Sequence, residues 1–239
     1  MNISKFFKKK PVLIVLFTFS VNLFCAQTNT INELDKIDHT IGNQSLPYLN
    51  GKLHLNYDNT IEENNHRYFD KNQFVTGDIV YTGDNYSGLQ LKYDIKEDVL
   101  VCLPDQENNY IKVNLISEYV NAFSLGNKKF INLTNDLKSK SKKGFYEKRF
   151  ESKNVILYIK HFKNAQETFK NNRKQIEYFY NKEHVIYAKG TYFSFETERD
   201  LIEIFPEMKT EIKNYYEKNQ KLEKDNKTEF VLAFLKSLK

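Results

Sequence analysis

From Gly51 to Phe195 the apolar residues recur at every second position in short runs, the spacing that turns alternate side chains to one face of an extended strand. GKLHLNYD is the first run, with Leu53, Leu55 and Tyr57 on one side. A connection over 58–73 breaks the pattern. FVTGDIVY, YSGLQLKYDI, VLVCLP, YIKVNLI, YVNAFSL and KKFINL then follow at close intervals. After a polar loop, NDLKSKSKK, come GFYEKRF, NVILYIKHF, KQIEYFY, HVIYAKG and TYFSF. Many short runs rich in Val, Ile, Tyr and Phe predict antiparallel strands over 51–196. No strand–helix alternation occurs, which argues against a parallel doubly wound sheet.

The period changes at Thr197. Thr197 and Asp200 have the spacing of a capping box, and Leu201, Ile202, Ile204 and Phe205 follow as a helical turn. Pro206 suits the first position of a second helix. Met208, Ile212, Tyr215 and Tyr216 make one stripe, and Phe230, Val231, Phe234, Leu235 and Leu238 make another. The chain therefore reads as α+β, an antiparallel body with C-terminal helices over 197–239 packed on the sheet. A sandwich and a curved open sheet both fit. A membrane barrel ranks lower, because the strands are short and lysine recurs among them.

The first 26 residues have a different character. Lys5, Lys8, Lys9 and Lys10 precede the apolar VLIVLFTFSVNLF, followed by Cys25-Ala26-Gln27, the layout of a secretory signal peptide. The apolar run is too short to span a bilayer as a helix. Cleavage behind Ala26 and lipid attachment at Cys25 are the two alternatives, and residues 27–50 read as a polar N-terminal arm. Removing the four lysines lowers the formal charge from +5 to +1. So balanced a mature chain offers little to a nucleic acid. It also keeps a single cysteine, Cys102, which rules out an intrachain disulfide. No later stretch is long and apolar enough for a transmembrane helix.

Candidate chemistry is sparse. The five histidines form no HxH, HxxH or HExxH, so no zinc motif is present, and no cofactor is implied. There is no GxSxG, GxGxxG or GxxxxGK. Asp94, Glu97 and Asp98 in LKYDIKEDVLV lack the alternating oxygen donors of a calcium loop and suit a hairpin bend. YTGDNYSG predicts a tight turn flanked by Tyr81 and Tyr86. With Tyr93, these tyrosines surround one hairpin and are the candidate contacts for a partner. The favoured reading is a non-catalytic module, exported to the periplasm or associated with the outer membrane, that binds another envelope protein, a peptide or a glycan. Release to the exterior is a further alternative for its location. A hydrolase of envelope polymers using Asp84, Asp94 and Asp98 is the second reading, and it needs two carboxyl groups facing one cleft. A lipid or small-ligand carrier is the third.

A signal ending in AQ, the stretch GDIVYTGDNYSGLQLKYDIKEDVLV, then GFYEKRF and the tail FPEMKTEIKNYYEKN together resemble uncharacterised secreted envelope proteins of Bacteroidetes-type Gram-negative bacteria. Gly77, Ile79 and Tyr81 match their G-x-[IV]-x-Y segment, Leu91 to Asp94 with Asp98 and Leu100 their LKYD and D-x-L, and Phe205, Pro206, Ile212 and Lys213 their FP and KxxIK. The resemblance implies an envelope location and a β-rich body with a helical tail. It implies no catalytic residue.

Overall fold

The computed structural model describes residues 46–55, 65–104, 111–137, 141–170 and 172–238. The expected signal peptide and the arm up to residue 45 lie outside the described residues. Among the described residues eleven strands form one antiparallel sheet: β1 (Lys52–Leu53), β2 (Val75–Tyr81), β3 (Asp84–Asp94), β4 (Val99–Leu103), β5 (Val113–Asn114), β6 (Val120–Leu125), β7 (Lys128–Asn132), β8 (Phe145–Glu151), β9 (Val155–Lys170), β10 (Arg173–Ala188) and β11 (Thr191–Phe195). Their order in space is β1-β5-β4-β3-β2-β6-β7-β8-β9-β10-β11. Of the two arrangements left open by the sequence, hydrogen bonding selects one continuous sheet. Three helices follow, α1 (Glu198–Ile204), α2 (Lys209–Asp225) and α3 (Lys227–Ser237).

Turn chemistry sets the register. Thr82 and Gly83 both take positive φ between β2 and β3, the backbone that a two-residue hairpin with right-handed twist requires. Asp84 already pairs with Tyr81, so Thr82 and Gly83 are the whole loop of the tight turn that YTGDNYSG predicts. At the helices, Thr197 accepts from the Asp200 N–H while the Asp200 carboxylate accepts from Thr197, which closes the expected capping box. Pro206 opens a 3-10 turn, Pro206–Met208, that leads into α2.

The apolar residues divide into two main cores. One gathers Tyr81, Leu91, Tyr93, Phe123, Phe130 and Phe145 from β2–β8, covered by Tyr48 and Phe69. The other lies where the helices cross the sheet and joins Leu157 and Ile186 to Leu201, Ile212, Val231 and Phe234. Leu157 and Ile186 are paired across β9 and β10, so one face of these strands carries the helices. The opposite face holds Tyr158 and Val185 under Leu133 and Leu137.

The largest departure from the periodicity is β9–β10. KQIEYFY and HVIYAKG are one strand, and KNAQETFK, which has no apolar alternation, is the far half of another. The register is unbroken from Val155↔Ala188 to Lys170↔Arg173. Beyond residues 159 and 184 neither strand pairs with β8 or β11, so a two-stranded ribbon continues past the sheet.

Candidate functional site

Glu147 on β8, His161 on β9 and Tyr180 on β10 lie diagonally across three adjacent strands. Each is two residues along from its neighbour's direct partner, since Glu147 pairs with Ile159 and His161 with Lys182. Their side chains meet on the helix-bearing face. His161 Nε2 is 2.7 Å from Glu147 Oε2, and His161 Nδ1 is 2.5 Å from the Tyr180 hydroxyl. The group sits at the seam between the two cores, with the Phe69 ring 4.8 Å from the imidazole, edge to face.

Electrostatics give this chain one direction. Burial holds the His161 pKa below the ordinary histidine value, with the Glu147 bond opposing it only in part, so the ring is neutral at pH 7. Burial alone would raise Glu147, but its bond to His161 and the nearby positive groups bring it below the usual carboxylate value. An ionised carboxylate only accepts, so Nε2 carries the proton and Nδ1 is left to accept from Tyr180. Burial, then the Glu147 and Asp70 charges, raises the Tyr180 phenol, which keeps its proton. The Tyr180 oxygen therefore offers lone pairs to anything that enters beside it. This arrangement predicts an Nε2-protonated, neutral His161 in ¹⁵N spectra at pH 7. Glu147→Leu, which keeps the bulk and leaves the Nε2–H without its acceptor, should cost about 1–3 kcal/mol in urea unfolding. A doubly protonated ring at pH 7 would overturn the ordering.

The three residues line a cleft of about 620 Å³ that also includes Phe69, Lys128 and Thr228. Charges of both signs face it: Lys182 and Arg149 with Asp70 and Glu229. Lys163 is already committed, donating to the backbone carbonyls of His66 at 2.5 Å and Tyr68 at 3.1 Å. Behind Thr228, His184 Nε2 is 2.9 Å from its hydroxyl.

The cleft opens onto the ribbon. Directly paired residues share a face, so Lys163 with Tyr180, Ala165 with Tyr178, Glu167 with Ile176 and Phe169 with Lys174 all continue the face of His161. The result is a row of Tyr180, Tyr178, Ile176 and Phe169 along one side of the ribbon. Tyr180 is 46% and Phe169 78% exposed. Large apolar side chains concentrated in this way on a surface mark contact sites.

The tyrosines singled out from the sequence lie elsewhere. Tyr81 and Tyr93 are 2% and 1% exposed, packed in the β2–β8 core. Tyr86 is half-buried, its ring 4.8 Å from that of Tyr48. None of the three lines the cleft.

The acidic bend is a turn with its carboxylates occupied. Asp94 accepts from the Lys96 and Glu97 N–H groups at 3.1 and 3.2 Å and pairs with Arg67 at 2.6 Å. Asp98 faces Tyr93 and Lys160, and Asp84 is exposed at the start of β3. The three do not converge. Among the described residues no group of His, Cys, Asp or Glu is placed to hold a metal ion. Cys102 is buried, its thiol pushed up to about 12 by desolvation, which makes it a poor nucleophile. A second cleft, of about 640 Å³, runs beside Val155, Phe205, Met208 and Leu238, with Lys153 and Lys189 at its rim.

Sequence reading missed Glu147, His161 and Tyr180 as a set. The available signal was a polar residue inside an inward period-2 row, as His161 follows Leu157 and Ile159 and Glu147 follows Phe145.

Comparison with protein-family models, with curated proteins and with solved structures finds no match to this chain. No helix among the described residues is long and apolar enough to cross a membrane.

Proposed function

We propose that the protein is a non-catalytic binding module of the cell envelope whose ligand lies along the ribbon and enters the cleft. The observation that carries this reading is the row of exposed Tyr180 and Phe169 with half-buried Tyr178 and Ile176 between them, which shares a face with the polar cleft and leads into it. Export is supported by the basic-then-apolar N-terminus and by the resemblance to secreted envelope proteins.

Among envelope ligands a glycan fits this surface best. Flat rings offer stacking area to the apolar faces of sugar rings at low entropy cost. The Tyr180 oxygen and Asp70 can accept from hydroxyl groups and Lys182 can donate to ring oxygens or carboxylates, beside an Arg149–Glu229 pair that is closed on itself at 2.9 Å. A protein partner would be expected to cover a broader apolar patch than one row.

The chain has no tryptophan, so its emission is that of its 16 tyrosines, Tyr178 and Tyr180 among them, and the part that a ligand perturbs is assigned by comparing the parent with Tyr178→Ala. Soluble envelope polysaccharide titrated into the native protein should perturb that emission saturably. Tyr178→Ala should weaken binding by about tenfold or more, the scale of an interface anchor. Its thermal midpoint should stay close to that of the parent protein. Equal affinity in Tyr178→Ala, or no response to any envelope polysaccharide, would remove the reading.

A further inference from the structure

The β9–β10 ribbon has two edges, and they differ. On the β10 side the Asn65 side chain acts as a short third strand: its amide donates to the Ile176 carbonyl and accepts from the Tyr178 N–H, both at 2.9 Å. On the β9 side the Lys163 N–H donates outward to the Ile95 carbonyl at 3.2 Å. Backbone groups alternate in direction along a strand, so the odd-numbered residues of β9 all point away from β10. From Ala165 to Phe169 these outward groups meet no strand among the described residues. An open edge of this kind is a template for strand addition.

We propose that the occupant is a second copy of this chain, with β9 pairing antiparallel to β9 across a twofold axis at Glu167. Outward residues must face outward residues, which restricts the register to odd against odd. The axis at Glu167 sets Ala165 opposite the second copy's Phe169, and the reverse. The side chains then match in size. Ala165 is small and its direct partner on β10 is Tyr178, so the opposing Phe169 ring has room to lie over Ala165 toward that tyrosine. This gives a partner to Phe169, at 78% the most exposed large apolar side chain among the described residues. On the other face Gln166 meets the second copy's Thr168, an uncharged hydrogen-bonding pair. The unfavourable contact is Glu167 against its own copy. Lys174 lies 2.6 Å from that carboxylate and offsets part of the repulsion. The pairing draws Phe169 out of the ligand row and lays it toward Tyr178, but it is tested without ligand, so its outcome is distinct from that of the ligand reading.

Sedimentation of the native protein, as the cell processes it, tests the assembly over a wide range of concentration. A reversible monomer–dimer equilibrium is expected. Ala165→Pro removes one outward N–H and no ladder bond to β10, because odd residues of β9 do not bond to β10. It should yield a monomer with an unchanged thermal midpoint. Glu167→Gln removes the like-charge contact and should tighten the dimer about two- to five-fold. Phe169→Lys, which leaves the backbone intact, should weaken it. A parent protein that stays monomeric at every concentration overturns the proposal, as does a dimer that Ala165→Pro and Phe169→Lys leave equally strong. A monomer that takes up an unrelated extended peptide at this edge would assign the edge to a foreign strand and overturn it too.

Discussion

Gly144→Ala should destabilise the fold by at least about 3 kcal/mol, far more than the same change at Gly190. Both glycines have positive φ, +111° at Gly144 and +76° at Gly190, so each substitution brings backbone strain of about 1–3 kcal/mol. Their surroundings separate them. A methyl group on Gly190 meets nothing within 4 Å. On Gly144 it would overlap the Asp98 carboxylate and come within 2.7 Å of Lys160 Nζ. That carboxylate accepts from the Tyr93 hydroxyl and pairs with Lys160 at 2.6 Å, and the Lys160 side chain is only 3% exposed. Displacing Asp98 leaves a buried ammonium without its counter-charge, a loss of about 3–5 kcal/mol. Urea unfolding of the two single variants measures the difference. Adding Asp98→Ala to Gly144→Ala should recover the overlap component, so the pair should be strongly non-additive. Equal losses at Gly144 and Gly190 would show that Asp98 moves aside at little cost.

Lowering the pH from 7 to 5 should cost about 2 kcal/mol of stability through His184 alone. Burial, reinforced by Lys227 and Lys182 and opposed by Glu196, brings its pKa down to about 4 in the folded protein. Unfolded, the ring titrates near 6.5. Between these values the unfolded chain binds a proton that the folded chain refuses, so stability is full above pH 6.5 and falls as the pH drops toward 4. Each pH unit in that window is worth about 1.4 kcal/mol. His54, His66 and His161 are lowered too, with burial the main cause, and act in the same direction. Asp94, raised by burial, has the opposite sign at lower pH, so the comparison is best ended at pH 5. His184→Gln keeps a hydrogen-bonding group for Thr228 and cannot titrate. Its stability should fall about 2 kcal/mol less than that of the parent between pH 7 and 5. Parallel losses would exclude His184 as the cause.

The extent to which the fold is legible in the sequence follows from which faces are covered. β2, β3, β4, β6, β7, β8 and β11 each bury one side or both, and their alternation marks them out. The distal ribbon is different. KNAQETFK has solvent on both sides, so no apolar period develops, and the strand is specified by its pairing with β10 instead. The helices were legible down to the cap at Thr197, because a capping box is a local device. The candidate site was not. Glu147 and His161 are 14 residues apart and His161 and Tyr180 are 19, a set that exists only once three strands are in register. The tyrosines near the β2–β3 hairpin drew attention by clustering in sequence, whereas Tyr81 and Tyr93 contribute their rings to the interior.

The order of strands in space has a kinetic consequence. All pairings but two join strands that are consecutive in the chain. The exceptions are β1 with β5, at Lys52↔Asn114, and β2 with β6, at Tyr81↔Val120. Each consecutive hairpin can zip on a microsecond scale, since little loop entropy is lost in closing it. Once β3, β4 and β5 have folded back on β2, the gap that β6 must close is short in space although about forty residues long in sequence. Among the strand pairings, slow long-range search, the usual burden of β-rich chains, is thereby confined to two steps. Every later strand can then add to an edge that its predecessor has formed, and the helices can dock on a sheet already paired.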